Sequence, residues 1–483
     1  MTQTPARAGG VPGQSGQSGT QVPAVPTAPA RAVAPRRLAW RESADRLRAA
    51  ATTEPGRLRI IGAVLALLVV GFGAVTAWQI ADRQSAADNV LHHSAPLSAD
   101  AAEIYRSLAD ANATVAGGFL VGGEEPKKVS TQYQNDISTA ARLITQASAN
   151  SSGSKEARAQ LAVLNTKLPV YTQLVATAQA DNRQGLPLGG AYLRYADQQM
   201  RMKGGLLDAA DKLYQAETKR LGHDYSAAKA LPYAAWTLGV LALAGLVWAQ
   251  RRHYRRTNRV FNQGMLAASA ASVVVLLWLV VGHTVSRMQL DDSYTHGARS
   301  MQVLNNARIA VLQARGDENL TLVARGSGES YETTFQSGMT GLAGKDPKGV
   351  GGELAQALKL ANNTEGRAPV NTAIKSVQAW RARHTVERAS DDGGDYTTAV
   401  ADVIGGKNGK NQVVATADTT GQCFANVDAS LEKAVDQEQS EFHAAASNGR
   451  DALALLPFGA GLLAVLAAAG AVLGIGRRLS EYR

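Results

Sequence analysis

The sequence predicts an all-α membrane protein with four transmembrane helices and two extracytoplasmic antiparallel four-helix bundles, laid out as a span-bundle-span unit that occurs twice. Three observations predict it. Apolar runs of bilayer-spanning length stand at 59–81, 231–249, 261–283 and 452–476. The long stretches between them, 82–230 and 284–451, repeat apolar residues at intervals of three and four, as at Leu161, Leu164, Leu168, Tyr171 and Val175, and carry few strand signals. The excess positive charge of the chain is gathered beside the apolar runs.

The charge distribution decides more than the total. The 483 residues carry a formal charge of +10. The residues before Ile60 contribute +6, the ten residues Gln250 to Arg259 contribute +5, and the last seven contribute +2, so the rest of the chain is at −3. Basic residues flanking apolar helices orient a membrane protein and meet anionic headgroups, so membrane lipid is the expected contact and nucleic acid is not.

Taken in order, residues 1–58 are rich in Pro, Gly, Ser and Gln, with few large apolar side chains, and read as a disordered basic cytoplasmic tail. Residues 59–81 form the first span. The preceding 58 residues are too long for the n-region of a cleaved signal, so this span is an anchor. Residues 82–230 are divided by breakers at Gly122 to Pro126, Ser151 to Ser154 and Asn182 to Gly190, and three breaks make a four-helix bundle. The second span, 231–249, leads into a basic cytoplasmic hairpin at 250–260, and the third span occupies 261–283. Residues 284–451 form the second bundle, with breaks at Ala324 to Gly328, Gly344 to Gly352, Glu365 to Pro369 and Asp391 to Tyr396. The fourth span is 452–476, and 477–483 is a cytoplasmic stub. The arginines place both termini and the hairpin inside and both bundles outside, in a multi-pass plasma-membrane protein. Small-residue pairs such as Gly470 and Gly474 would let spans pack closely.

Residues that carry chemistry are few. Cys423 is the lone cysteine, so no intrachain disulfide forms, and it is expected to pack as a small apolar residue. His92 and His93 are adjacent rather than four apart, and no catalytic or nucleotide-binding motif occurs. The reading is therefore a non-enzyme without cofactor or metal. Arg308 and Arg315 are two helical turns apart, with Glu318 and Asn319 beside the second. Paired charges there could hold a zwitterionic small molecule. Asn182, Arg183, Asp391 and Asp392 lie at helix ends far from the membrane, where a partner could touch them. Arg251, Arg252, Arg255, Arg256 and Arg259 form the inner surface offered to lipid or a cytosolic partner.

The segments GDENLTLVARGSGESYETTF, ADANATVAGGFLVGGEEP and LPVYTQLVATAQADNRQGLPLGGAYLRYADQQM resemble the GlnX family of actinobacterial integral membrane proteins, over about residues 58 to 478. The resemblance implies a sensor that couples an extracellular amino-acid-binding lipoprotein, GlnH, to a cytosolic serine/threonine kinase, PknG, and so adjusts nitrogen metabolism. From the residues alone, a transmembrane sensor or transducer is expected, and a homodimer stays open. An envelope scaffold is the alternative. A transporter subunit is disfavoured because, apart from Arg59 at the very edge of the first, no Asp, Glu, Lys or Arg falls inside a span.

Overall fold

The computed structural model describes residues 54–122, 126–151, 153–257, 262–347, 350–407, 413–414 and 419–479. The tail at 1–53, Arg259 and the last four residues of the stub lie outside the described residues, as does the side chain of Arg256. The chain divides into Met1–Ile60, of which Glu54–Ile60 begins the first helix, and Ile61–Arg483, which holds everything below.

Among the described residues helices dominate, and four are long and apolar enough to cross a membrane. Helix α1 spans Glu54–Asn89 and passes through a π turn, Val90–Ser94, into α2, Ala95–Val121. Helices α3 (Lys127–Asn150), α4 (Lys155–Arg183), α5 (Leu188–Arg201) and α6 (Leu206–Ala228) follow, and α7 (Tyr233–Thr257) is the second apolar helix. The same sequence of elements then recurs. Helix α8 (Gln263–Asp292) passes through a π turn, Ser293–Ala298, into α9 (Arg299–Val323). Helices α10 (Glu329–Ala343), α11 (Gly352–Leu360), α12 (Thr364–Asp392), α13 (Tyr396–Ile404) and α14 (Thr420–Asp451) lead to the last apolar helix, α15 (Leu456–Leu479). A two-residue antiparallel ladder pairs Gly406–Lys407 with Val413–Val414.

The apolar helices present Leu67, Leu241, Leu277 and Leu473 exposed on their outer faces, the pattern of a lipid-facing surface. Their inner contacts rest on small residues. A Cβ on Gly264 would come within 2.2 Å of the Gly470 carbonyl oxygen, and one on Gly73 within 2.1 Å of the Ala464 Cβ, so α8 and α15, and α1 and α15, approach at backbone distance. Asn262 caps α8 by accepting from the Gly264 amide at 3.2 Å, and its Nδ2 donates to the Gly474 carbonyl at 2.7 Å. Where α6 gives way to α7, Arg83 Nη2 donates to the Leu231 carbonyl at 3.0 Å and Nε to that of Ala230 at 2.5 Å, satisfying acceptors at the helix end.

Above the apolar helices, Ile104, Leu108, Leu164, Tyr171, Val175 and Leu213 form the core among α2 to α6. Leu304, Val311, Phe335, Trp380, Val427 and Leu431 form that among α9 to α14. Leu312 and Leu320 of α9 belong to the first core, so the two regions share a seam along α2 and α9. Below it, Val90, Leu91, Leu221, Tyr225, Leu290 and Phe442 gather the membrane-proximal ends of α1, α6, α8 and α14 in one cluster. Tyr225 Oη and Ser293 Oγ share a hydrogen bond of 2.7 Å, and Ser293 Oγ donates to the Phe442 carbonyl at 3.2 Å.

Three features depart from the sequence reading. A fourth break, Met202–Gly205, splits the last predicted helix of the first region, because Gly204 takes φ +76° and Gly205 packs against the Met202 carbonyl with no room for a Cβ. The break predicted at Glu365 to Pro369 falls earlier. Asn363 caps α12 by accepting from the Gly366 amide, and Pro369 is carried inside the helix. The two π turns have no counterpart in the prediction.

Candidate functional site

Helix α2 comes straight off α1 and helix α9 straight off α8. Together with α14 they enclose a cleft of about 440 Å³ just above the π turns. Glu103 and Arg106 of α2, Arg308 of α9, and Glu432 and Asp436 of α14 line it, with Phe442 in its apolar wall. Arg106 is held by Glu103, with Nε to Oε2 at 2.7 Å, and this bond strengthens its already permanent charge. Arg308, almost completely buried, donates from Nε to Asp428 Oδ1 at 3.2 Å and keeps Nη2 3.7 Å from Glu432 Oε1. The cleft thus sets two guanidinium groups, one from each region, against a rim of carboxylates. That arrangement can take a small molecule with one anionic and one cationic group.

The four residues predicted to bind ligand do not form one site. Arg308 opens into the cleft. Arg315, two turns on, and Glu318 turn instead into the core of α9 to α14, where Arg315 Nη1 donates to Glu318 Oε2 at 2.5 Å. Asn319 faces the seam and donates to the Ala113 carbonyl at 3.1 Å. Seven-residue spacing keeps the two side chains near one face of α9, but it does not say which helix covers each part of that face; here α2, α10 and α14 each cover part of α9.

Glu318 lies in a buried polar cluster that sequence reasoning missed. His384 Nδ1 stands 3.1 Å from Glu318 Oε1 and 3.2 Å from Glu387 Oε2, and His384 Nε2 stands 3.0 Å from Glu332 Oε2. Trp380 Nε1 donates to Glu318 Oε1 at 2.8 Å and Thr420 Oγ1 to Glu318 Oε2 at 3.1 Å. Burial disfavours the charged imidazolium, yet hydrogen bonds to Glu318 and Glu332 and the nearby Glu387 carboxylate outweigh it and push His384 up to about 11. Burial likewise works against the charged Glu318, but the bond to His384 and the charge of Arg315 hold its carboxyl below the ordinary range. Burial pushes the Glu387 carboxyl up, opposed by His384.

The remaining predicted residues lie apart from both places. Asn182 and Arg183 end α4. Asp391 and Asp392 end α12, where Arg388 pairs with both, at 2.6 Å to Asp391. Arg251, Arg252 and Arg255 continue α7, and Arg252 lies over the Trp248 ring at 5.4 Å. Cys423 is buried in the second core, as expected, and accepts a hydrogen bond from Arg383 at 3.4 Å.

One signal in the chain could have located the seam. The pattern Asp-x-Asn-x-Thr occurs at Asp110, Asn112 and Thr114 and again at Asp317, Asn319 and Thr321. The two copies lie on α2 and α9 where these helices touch: Gly316 faces Ala113, and Asn319 lies against Gly117. Asn112 donates to Asp197 Oδ1 at 2.8 Å, and Asp317 accepts from Arg201 of the first region, with Nη2 to Oδ2 at 2.9 Å.

No curated protein and no solved structure matches the chain. Residues 86–226, which run from the end of α1 through α6, match the model of a family described as an actinobacterial sensor domain, so this region is similar to a sensor domain and four membrane-length apolar helices accompany it.

Proposed function

We propose that the protein is a transmembrane sensor that reads a small zwitterionic solute, an amino acid, in the cleft between α2, α9 and α14 and relays the event through its apolar helices to a cytosolic partner. One observation carries the reading. The helices that line the cleft are the uninterrupted continuations of α1 and α8, with only a π turn between cleft and apolar segment. A ligand drawn between Arg106, Arg308 and the carboxylates of α14 pulls on those helices directly. The cluster of Leu91, Tyr225, Ser293 and Phe442 beneath the cleft passes the change to all four apolar helices. π turns have weakened ladders, which suits them as points of readjustment.

The repeated order of apolar helix, π turn and buried helix, and the two Asp-x-Asn-x-Thr copies, support a duplicated span-bundle-span plan with both bundles outside. The basic hairpin then lies inside, with Arg251, Arg252 and Arg255 as the contact for lipid or a partner with an acidic surface. The likeness to an actinobacterial sensor domain supports a sensing role for residues 86–226. The resemblance to the GlnX family names the class of partners: a lipoprotein that delivers the amino acid and a serine/threonine kinase that receives the signal.

Thermal unfolding of the purified chain in detergent, scanned against each of the common amino acids, tests this reading. At least one amino acid raises the melting temperature of the wild type and not that of Arg308→Ala. A panel without any response, in a protein that melts cooperatively, favours the envelope scaffold instead.

A further inference from the structure

We propose that Glu318, His384 and Glu387 form a binding site for one divalent transition-metal ion, zinc or manganese, with Glu332 as the outer carboxylate that orients the imidazole. The site is separate from the cleft, and none of its residues lines that cavity.

The geometry leaves one carboxylate with an ion-pair contact but no hydrogen bond. His384 Nδ1 has a single hydrogen to give, and both Glu318 Oε1 and Glu387 Oε2 stand within 3.2 Å of it. The bond goes to Glu318, which already receives Trp380, Arg315 and Thr420. Glu387 is fully buried, and neither of its oxygens accepts a hydrogen bond. A metal ion between His384 Nδ1, Glu318 and Glu387 would take the place of the Nδ1 proton and give the Glu387 oxygens a ligand bond, and the donor atoms already lie within 4.8 Å of one another.

The surroundings fit the same reading. A ligating histidine typically gives its other ring nitrogen to a carboxylate, and His384 Nε2 meets Glu332 Oε2 at 3.0 Å. Arg315 and Thr420 hold the second oxygen of Glu318 and so fix how it points. One imidazole with two carboxylates, and no thiolate among the donors, favours zinc or manganese over copper(I) or a purely oxygen-loving ion such as calcium. The ligands come from α9 and α12 and the outer carboxylate from α10, so an ion here would tie three helices of the second region together.

The test uses the full-length chain in detergent, freed of any affinity tag, stripped with EDTA and titrated with zinc chloride or manganese chloride. Metal content after desalting and melting temperature are read together. The wild type is expected to retain about one ion per chain and to melt several degrees higher with it. Glu387→Gln keeps the shape of the side chain and is expected to fold but bind at least tenfold more weakly, the loss typical of a removed ligand or its support. His92→Ala with His93→Ala is expected to bind as the wild type does. A wild type that retains no ion, or a Glu387→Gln protein that retains as much as the wild type, overturns the proposal. If the wild type binds nothing and Glu387→Gln melts higher, the cluster is a buried imidazolium held by carboxylates. A failure of this kind leaves the amino-acid response of the cleft intact, so the two readings fail separately.

Discussion

Arg201 of α5 and Asp317 of α9 pair across the seam between the two helical regions, with two guanidinium nitrogens facing the two carboxylate oxygens and Asp317 almost completely buried. Burial pushes the Asp317 carboxyl up and Arg201 opposes this, so the aspartate depends on its partner for its charge. Removing Arg201 strands a buried carboxylate. Arg201→Ala should lower stability by about 3 kcal/mol in thermal or denaturant unfolding, and Arg201→Met with Asp317→Leu should recover much of the loss. Equal stability of Arg201→Ala and the wild type would show that the seam does not rest on this pair.

Stability should fall as pH rises from about 4.5 to about 7, because of Glu438 on α14. Burial and the neighbouring Glu441 push its carboxyl up to about 7, against an ordinary value of 4.5, with Ser300 opposing. Below 4.5 both folded and unfolded chains carry the proton. Between the two values the unfolded chain gives it up while the folded chain keeps it, so folding loses ground until the folded group also ionises near 7. The upper bound is about 3 kcal/mol for such a shift. Glu438→Gln should flatten this part of the melting-temperature profile and raise stability above pH 7.

The contact between α8 and α15 should not tolerate a side chain at Gly264. Gly264→Leu has to push against the Gly470 backbone, whereas Gly461→Leu on the same helix pair meets open space. The first is expected to cost about 2 kcal/mol or more in melting experiments and the second to stay near the wild type. Similar behaviour of the two variants would mean that the helices do not pack at backbone distance.

Orientation should depend on the hairpin arginines. A reporter fused at Asn258 is expected to read cytoplasmic in the wild type. Replacing Arg251, Arg252, Arg255 and Arg256 together with glutamine should move a measurable fraction to the opposite reading. An unchanged reading would assign orientation to the basic residues before Ile60.

The apolar helices were legible because a bilayer demands runs of fixed length, and the breaks at Gly122 and Asp391 because Gly and Asp punctuate helices plainly. Arg308 was legible as a charged side chain on a helix of the second region, and the structure places it in the lining of the cleft. Its separation from Arg315 was not legible, because periodicity on α9 carries no record of which neighbour covers each part of the face. The cluster of Glu318, Glu332, His384 and Glu387 draws on three helices, and spacing along one helix cannot reveal it. The break at Met202–Gly205 was missed because it follows from two adjacent glycines under a carbonyl, without a proline to mark it. The paired Asp-x-Asn-x-Thr copies were in plain view and would have pointed to the seam.

The central claim, that ligand in the cleft shifts the apolar helices, is tested most directly by the distance between spin labels at Trp248→Cys on α7 and Leu473→Cys on α15. Both positions are exposed, and Cys423→Ser removes the native thiol. The protein is measured in lipid nanodiscs with and without a mixture of the common amino acids. The account predicts a shift of about 1–2 Å with amino acids and none in Arg308→Ala; distances that stay the same under saturating amino acids in the wild type would contradict it.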